Sequence, residues 1–214
     1  LLEESLDKIL YWFTREEYHV VLEAIRRDNT PDLDDLQGRF VNPGHMVESM
    51  WFCLDTNRRL KDPKMQKRIL DVIDWAFDIG YDKEYNGLYA FVDVSGGKPK
   101  EALDWYVECN CEWNDKVWWP NSEALCAFAM AFADTGDEKY GEMFEKQHAF
   151  CRDYFYDPEF GEWYSFLNRD GSVKSSEKGS RWKCAFHVLR ALVFVYEAMQ
   201  RASERERALE CYQS

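Results

Sequence analysis

Apolar residues recur at three- and four-residue spacing along several stretches of this chain, the period of an amphipathic helix. Met65, Ile69, Val72, Ile73, Ala76 and Phe77 form one such stripe. Asp62 before Pro63 marks its start, because a carboxylate caps free backbone N–H groups and a proline at the first helical position loses no hydrogen bond. Tyr140, Met143, Phe144, Cys151, Tyr154 and Phe155 form another stripe. Between it and the preceding helix lies DTGD, where Gly136 ends one helix and Asp137 caps the next. Helices joined so tightly are antiparallel neighbours. The chain opens on LLEESLDKIL, already an amphipathic helix with neither an initiator Met nor a charged-then-apolar leader. It reads as a protein entered partway through, without a signal peptide.

An internal repeat organises the rest. YDKEYNG begins at Tyr81 and YDPEFGEW at Tyr156, each following an outer-type amphipathic helix. Each leads into alternating aromatics (Tyr89 and Phe91; Trp163 and Phe166) and then a turn, Gly96-Gly97 or Asp170-Gly171. The pattern predicts a short β-hairpin closing each helix pair. The expected helices span roughly residues 1–10, 44–60, 63–79, 119–134, 137–155 and 183–202, with YHVVLEAI as a strand-like link after the first. This is a mostly helical single domain over residues 1–214. Helix pairs ranged around an axis curve toward closure, so three pairs form an arc with an exposed apolar edge.

Composition narrows the function classes. The formal net charge is −13, which repels phosphate backbones and anionic membrane surfaces. No apolar run is long enough to span a bilayer. Nine Trp, twelve Tyr and fourteen Phe suit either a large helical core or a site that packs sugars on aromatic rings. Seven cysteines in a chain of this size read as reduced thiols of a cytoplasmic protein. Cys109 and Cys111 form a C-x-C pair without a second ligand cluster nearby, a weak metal signal.

Three polar clusters fall at or near the N-termini of expected inner helices. NPGHMVESMWF (42–52) sets His45 and Glu48 three apart on one face. WWPNSEAL (118–125) carries Trp118, Trp119, Asn121 and Glu123. RWKCAFHVLRAL (181–192) spaces Lys183, His187 and Arg190 four and three apart. If these helices start at one mouth, their dipoles favour negative charge developing between them. Histidines among carboxylates, cations and aromatics suit removal of a proton beside a carbonyl. His19 and His148 read as structural. The His45–Glu48 spacing is not that of a zinc helix, no third ligand is evident, and no Walker-type phosphate loop is present. Residues 99–116 carry no readable signature.

On the strings NPGHMVESMWF, VWWPNSEAL, YDPEFGEWYSFLNRDGS and KCAFHVLRAL, taken in order, the chain resembles the N-acylglucosamine 2-epimerase family, which includes renin-binding-protein epimerases, cellobiose 2-epimerases and mannose isomerases. The resemblance covers residues 37–200 and implies an (α/α)6 barrel, an all-α toroid of twelve helices of which this chain supplies the C-terminal six. It implies a sugar 2-epimerase that interconverts C2 epimers, such as N-acetylglucosamine and N-acetylmannosamine, through an enediolate and without a cofactor. The aldose–ketose isomerase outcome is the alternative, with a glycoside hydrolase or a non-catalytic sugar-binding protein behind it. His45 and His187 fall on the family's catalytic histidines and Glu48 on its helical glutamate. Trp118, Trp119, Asn121, Glu123, Lys183 and Arg190 fall at substrate-binding positions. Leu189 stands where proline is familiar, Asn121 where His or Gln is, and 104–116 is longer than usual. The family's catalytic arginine belongs to the N-terminal half, so the chain reads as a fragment, a split protein with a partner chain, or a chain that completes its barrel by pairing with a second copy.

Overall fold

The computed structural model describes residues 2–213, and the side chains of residues 2–208; Leu1, Ser214 and the side chain of Cys211 lie outside what is described. The elements in chain order are α1 (Leu2–Asp7), extended by a π-helical stretch Lys8–Phe13, β1 (Thr14–Arg15), β2 (Val20–Val21), α2 (Leu36–Arg39), β3 (Phe40–Val41), α3 (Pro43–Leu60) and α4 (Pro63–Gly80). Then come β4 (Val92–Asp93), α5 (Asp104–Glu108), β5 (Lys116–Val117), α6 (Trp118–Thr135) and α7 (Glu138–Phe150), the last ending in a π-helical stretch Cys151–Phe155. Strands β6 (Phe166–Leu167) and β7 (Val173–Ser175) and the long α8 (Phe186–Gln213) complete the chain.

The caps act as their chemistry dictates. Asp62 accepts from Lys64 N at 2.8 Å and Met65 N at 3.2 Å, with Pro63 in the first turn of α4. Asn42 likewise caps α3, and Asp137 accepts from Lys139 N at 3.1 Å to start α7. Gly136 closes α6 at φ 73°, a conformation that costs glycine nothing. Between its caps α6 has an almost unbroken apolar sequence, and every residue from Trp118 to Ala131 is buried. A helix apolar all round needs neighbours on all sides. It has α3 and α8 flanking it as fellow inner helices, with α7 behind it and α4 behind α3.

The repeat is exact in its backbone. Tyr81 bridges Leu88 and Tyr156 bridges Trp163. Asp82 accepts from the N–H groups of Glu84 and Tyr85, and Asp157 from those of Glu159 and Phe160. In each turn two adjacent residues take positive φ, Asn86-Gly87 and Gly161-Glu162. Each aspartate also holds a cation: Asp82 binds Lys116 and Arg169, and Asp157 binds Lys178. Burial pushes the Asp82 carboxyl up, but Arg169, Lys116 and the two N–H donors outweigh it and hold it well below the usual range. Burial lowers Lys116 to about 8 despite the facing carboxylate.

Three expectations are corrected. The second repeat forms its own hairpin, β6 with β7, around Asp170-Gly171. In the first, β4 instead pairs with β3 from before α3, tying the start of an inner helix to the end of its outer partner. The last inner helix begins at Phe186, not near 183, because Ser180 Oγ accepts from Trp182 N and Lys183 N and coils that segment into a turn. A short helix, α5, stands where no signature was read. The expected apolar edge is present along α8, where Leu189, Leu192, Val193 and Tyr196 are each more than half exposed.

Candidate active site

The N-termini of α3 and α6 meet. A Cβ on Gly44 would lie 2.7 Å from Pro120 Cβ and 2.8 Å from the Trp119 ring, so only glycine lets the two helix starts approach this closely. Asn42 accepts from Gly44 N at 2.8 Å and His45 N at 3.3 Å, and its amide donates to Tyr106 Oη at 2.8 Å. Beside this junction lies a cavity of about 370 Å³. It is lined by His45, His187 and Glu23 and by a set of mostly aromatic side chains that includes Trp105, Tyr106, Trp118, Trp119 and Trp182. The ring of Trp119 lies against both imidazoles, its centroid 4.9 Å from that of His45 and 5.6 Å from that of His187.

Each histidine is held through Nδ1 by a carboxylate. His187 Nδ1 is 2.6 Å from Glu123 Oε1, a separation that requires the proton to sit on Nδ1. Glu123 is fully buried and also accepts from Trp51 Nε1 at 2.7 Å and from Arg190 at 2.7 Å. Arg190 bridges it to Glu48 and is enclosed by the rings of Trp51, Phe52 and Phe186. Burial works against the guanidinium charge, but Glu123 and Glu48 outweigh it and raise its pKa. On the other side, His45 Nδ1 lies 3.0 and 2.9 Å from the two oxygens of Glu23. Burial lowers the His45 pKa, the hydrogen bond and charge of Glu23 and the charge of Glu48 raise it, and the net shift is upward. With both Nδ1 positions committed, Nε2 of either ring, when neutral, carries the lone pair that can accept a proton.

The sequence profile described as N-acylglucosamine 2-epimerase matches residues 2–191. The N-acylglucosamine 2-epimerase of Mus musculus is 40% identical over 174 residues, 81% of this chain and 39% of that protein. The chain belongs to the N-acylglucosamine 2-epimerase family. It spans about two fifths of the length of the curated relatives it matches. A D-mannose isomerase structure aligns over 90% of this chain and 48% of its own, with TM-score 0.76 and 20% identity. A cellobiose 2-epimerase from Bacillus thermoamylovorans B4167 aligns over 93% and 46%, with TM-score 0.73 and 20% identity. These likenesses establish the fold, the (α/α)6 barrel, with the inner and outer helices of this chain forming an arc of it.

Within this family frame the named residues divide. His45, His187, Trp118 and Trp119 come together at the cavity. Glu48, Glu123 and Arg190 meet directly beneath His187 and are spent on one another. Asn121 and Lys183 depart from expectation. Asn121 is fully buried: its Oδ1 accepts from Leu88 N at 2.8 Å, its amide donates to Val117 O at 2.7 Å, and Gln147 donates to it, and it is absent from the cavity lining. Lys183, in the turn before α8, is buried with its ammonium on Glu162 and Lys178 O. His19 stacks on Trp75 and His148 on Phe144, as structural residues do.

Sequence reasoning missed Glu23, Tyr106, Trp105 and Trp182. Glu23 follows the strand-like VVL run with nothing to distinguish it from other acidic residues; Trp105 and Tyr106 lie in the segment that carried no signature, and Trp182 stands in RWKCAFHVLRAL beside the lysine, histidine and arginine that were singled out instead. Among the described residues Glu48, Glu123 and His187 offer ligand atoms within 4.8 Å of one another. Arg190 donates to both carboxylates there, so a divalent cation would have to displace a partly buried guanidinium. No helix among the described residues is long and apolar enough to cross a membrane.

Proposed function

We propose that this chain is the C-terminal half of a sugar 2-epimerase that acts on N-acylated glucosamine and mannosamine by moving the proton at C2. The observation that carries the reading is the pair of carboxylate-held histidines packed against the one Trp119 ring and lining one cavity. One Nε2 removes the C2 proton of the open-chain sugar, and the C–H electron pair passes into C1=C2 as negative charge moves onto O1. The other histidine returns a proton to C2 from the opposite face, which inverts the centre. The N-termini of α3 and α6 favour the enediolate, and Trp118 and Trp119 offer faces for the apolar side of the ring. Identity of 33–40% to four N-acylglucosamine 2-epimerases favours the N-acylated substrate.

Glycosidic cleavage is disfavoured because it needs two carboxylates flanking the bond. Here Glu123 is sealed beneath His187, and both Glu123 and Glu48 bind Arg190. The exposed face of α8 supports completion of the barrel by further helices, whether from the same polypeptide, a partner chain or a second copy. The six cysteines whose side chains are described are all free thiols, which accords with a cytoplasmic setting. The test is proton NMR in D2O with N-acetylglucosamine, mannose, glucose and cellobiose. Loss of the C2 signal with growth of the N-acetylmannosamine spectrum supports the assignment. Growth of a ketose instead supports the isomerase alternative. Saturable sugar binding without C2 exchange makes the chain a binding protein.

A further inference from the structure

The two histidines are held by carboxylates in different situations. Glu123 is fully buried and divides its oxygens among Trp51, His187 and Arg190. Glu23 stands at the open side of the cavity, on the link that follows β2, and presents both oxygens to His45 alone at 3.0 and 2.9 Å. Its backbone is fixed just upstream: Leu22 is buried, and its N–H donates to Phe13 O at 2.9 Å. The other groups around His45 leave its Nδ1 untouched. Glu48, on the same helix, is held by Arg190; the Tyr106 hydroxyl is held by Asn42; His187 Nδ1 is held by Glu123.

We propose that Glu23 is a positioning residue that holds the His45 ring by Nδ1–H and so presents Nε2 to the cavity as the group that trades a proton with substrate. A neutral imidazole with Nδ1 free would exchange tautomers, and half-exposed His45 has no other anchor to prevent it. The undivided carboxylate also stabilises the imidazolium once His45 has taken a proton, a support that Glu123 shares out among three donors. The same contact thus sets the ring's direction, its tautomer and its basicity, and it makes the two bases of the site unequal. The role rests on the proton-transfer reading of the site, but the contact can be tested without it.

The test is ring-nitrogen NMR of the 15N-labelled chain across pH, with His45→Gln to assign the resonance and His19 and His148 as internal references. In the unaltered protein the neutral His45 ring is expected as the Nδ1–H tautomer. Glu23→Gln is expected to admit the Nε2–H tautomer and move the His45 midpoint to lower pH, with His187 unmoved; Glu23→Asp is expected to restore part of both. An unchanged His45 tautomer and midpoint in Glu23→Gln overturns the proposal. With N-acetylglucosamine in D2O, Glu23→Gln is expected to lower kcat about ten- to a hundred-fold, as loss of an orienting partner does, with KM little changed. The limb of the pH profile set by His45 should move to lower pH. Loss in KM alone counts against positioning. If the unaltered protein exchanges no C2 proton, the functional reading falls while the ring spectra still decide the role of Glu23.

Discussion

Glu123→Gln is the substitution whose cost the structure sets most tightly. The carboxylate is fully buried, and three donors converge on it: Trp51 Nε1 at 2.7 Å, His187 Nδ1 at 2.6 Å and Arg190 at 2.7 Å. Glutamine has nearly the same shape but offers one acceptor oxygen, and its NH2 must face one of those donors. One charge-assisted hydrogen bond, roughly 1.5–3 kcal/mol, is lost, and a donor–donor contact replaces another. Removing one partner of a buried ion pair costs about 3–5 kcal/mol, but Arg190 retains Glu48, which keeps the sum near the lower end. We expect about 3 kcal/mol of destabilisation. Urea unfolding followed by tryptophan fluorescence reads it directly. With a slope of about 3 kcal/mol per molar for a chain of this size, the midpoint should fall by about 1 M. Glu48→Gln, whose partly exposed carboxylate meets only Arg190, should cost less than a third as much. A Glu123→Gln midpoint within about 0.3 M of the unaltered protein would refute the reasoning.

Other expectations follow from single contacts. Asp82 binds protons less readily when folded than when unfolded, so the unfolded chain holds more protons near pH 4 and stability falls as pH drops through that region. Asp82→Asn should lack this loss; urea midpoints at pH 7, 4 and 3 compare the two. Asn121→Ala should cost about 1–3 kcal/mol by orphaning Leu88 N–H, visible in thermal unfolding, and should leave sugar affinity alone. Gly44→Ala should cost about 1–3 kcal/mol, because its Cβ would overlap Pro120 and Trp119, and should also weaken sugar binding measured by calorimetry.

What the sequence discloses about this chain is local chemistry. Asp62-Pro63, Asn42-Pro43 and Gly136-Asp137 announce helix ends because each satisfies, or dispenses with, backbone groups within a few residues. The twin turns at Asp82 and Asp157 are legible for the same reason. His45 and His187 are legible because helix starts gather at one place in such an arc. The errors arise where a side chain's partner is distant in sequence. Nothing near Asn121 reveals that it serves Leu88 N, or near Lys183 that Glu162 claims it. Ser180 delays α8 through a turn that a helical pattern overrides on paper. Glu23 reaches the cavity from an irregular link, and Trp105 and Tyr106 from the five-residue α5, segments too short for a period to mark which side chain faces inward.

The Trp119 ring that both imidazoles touch bears on what happens after the product leaves. On the proposed chemistry each passage exchanges the roles of the histidines: the one that began bare ends charged, and the one that began charged ends bare. An indole face carries no proton from one to the other. The protein therefore finishes a forward passage poised for the reverse one, and it regains its starting form only by trading both protons with water. Such a catalyst carries a memory of its last direction, and at high sugar concentration that reset, rather than breaking the bond at C2, would govern the pace of turnover.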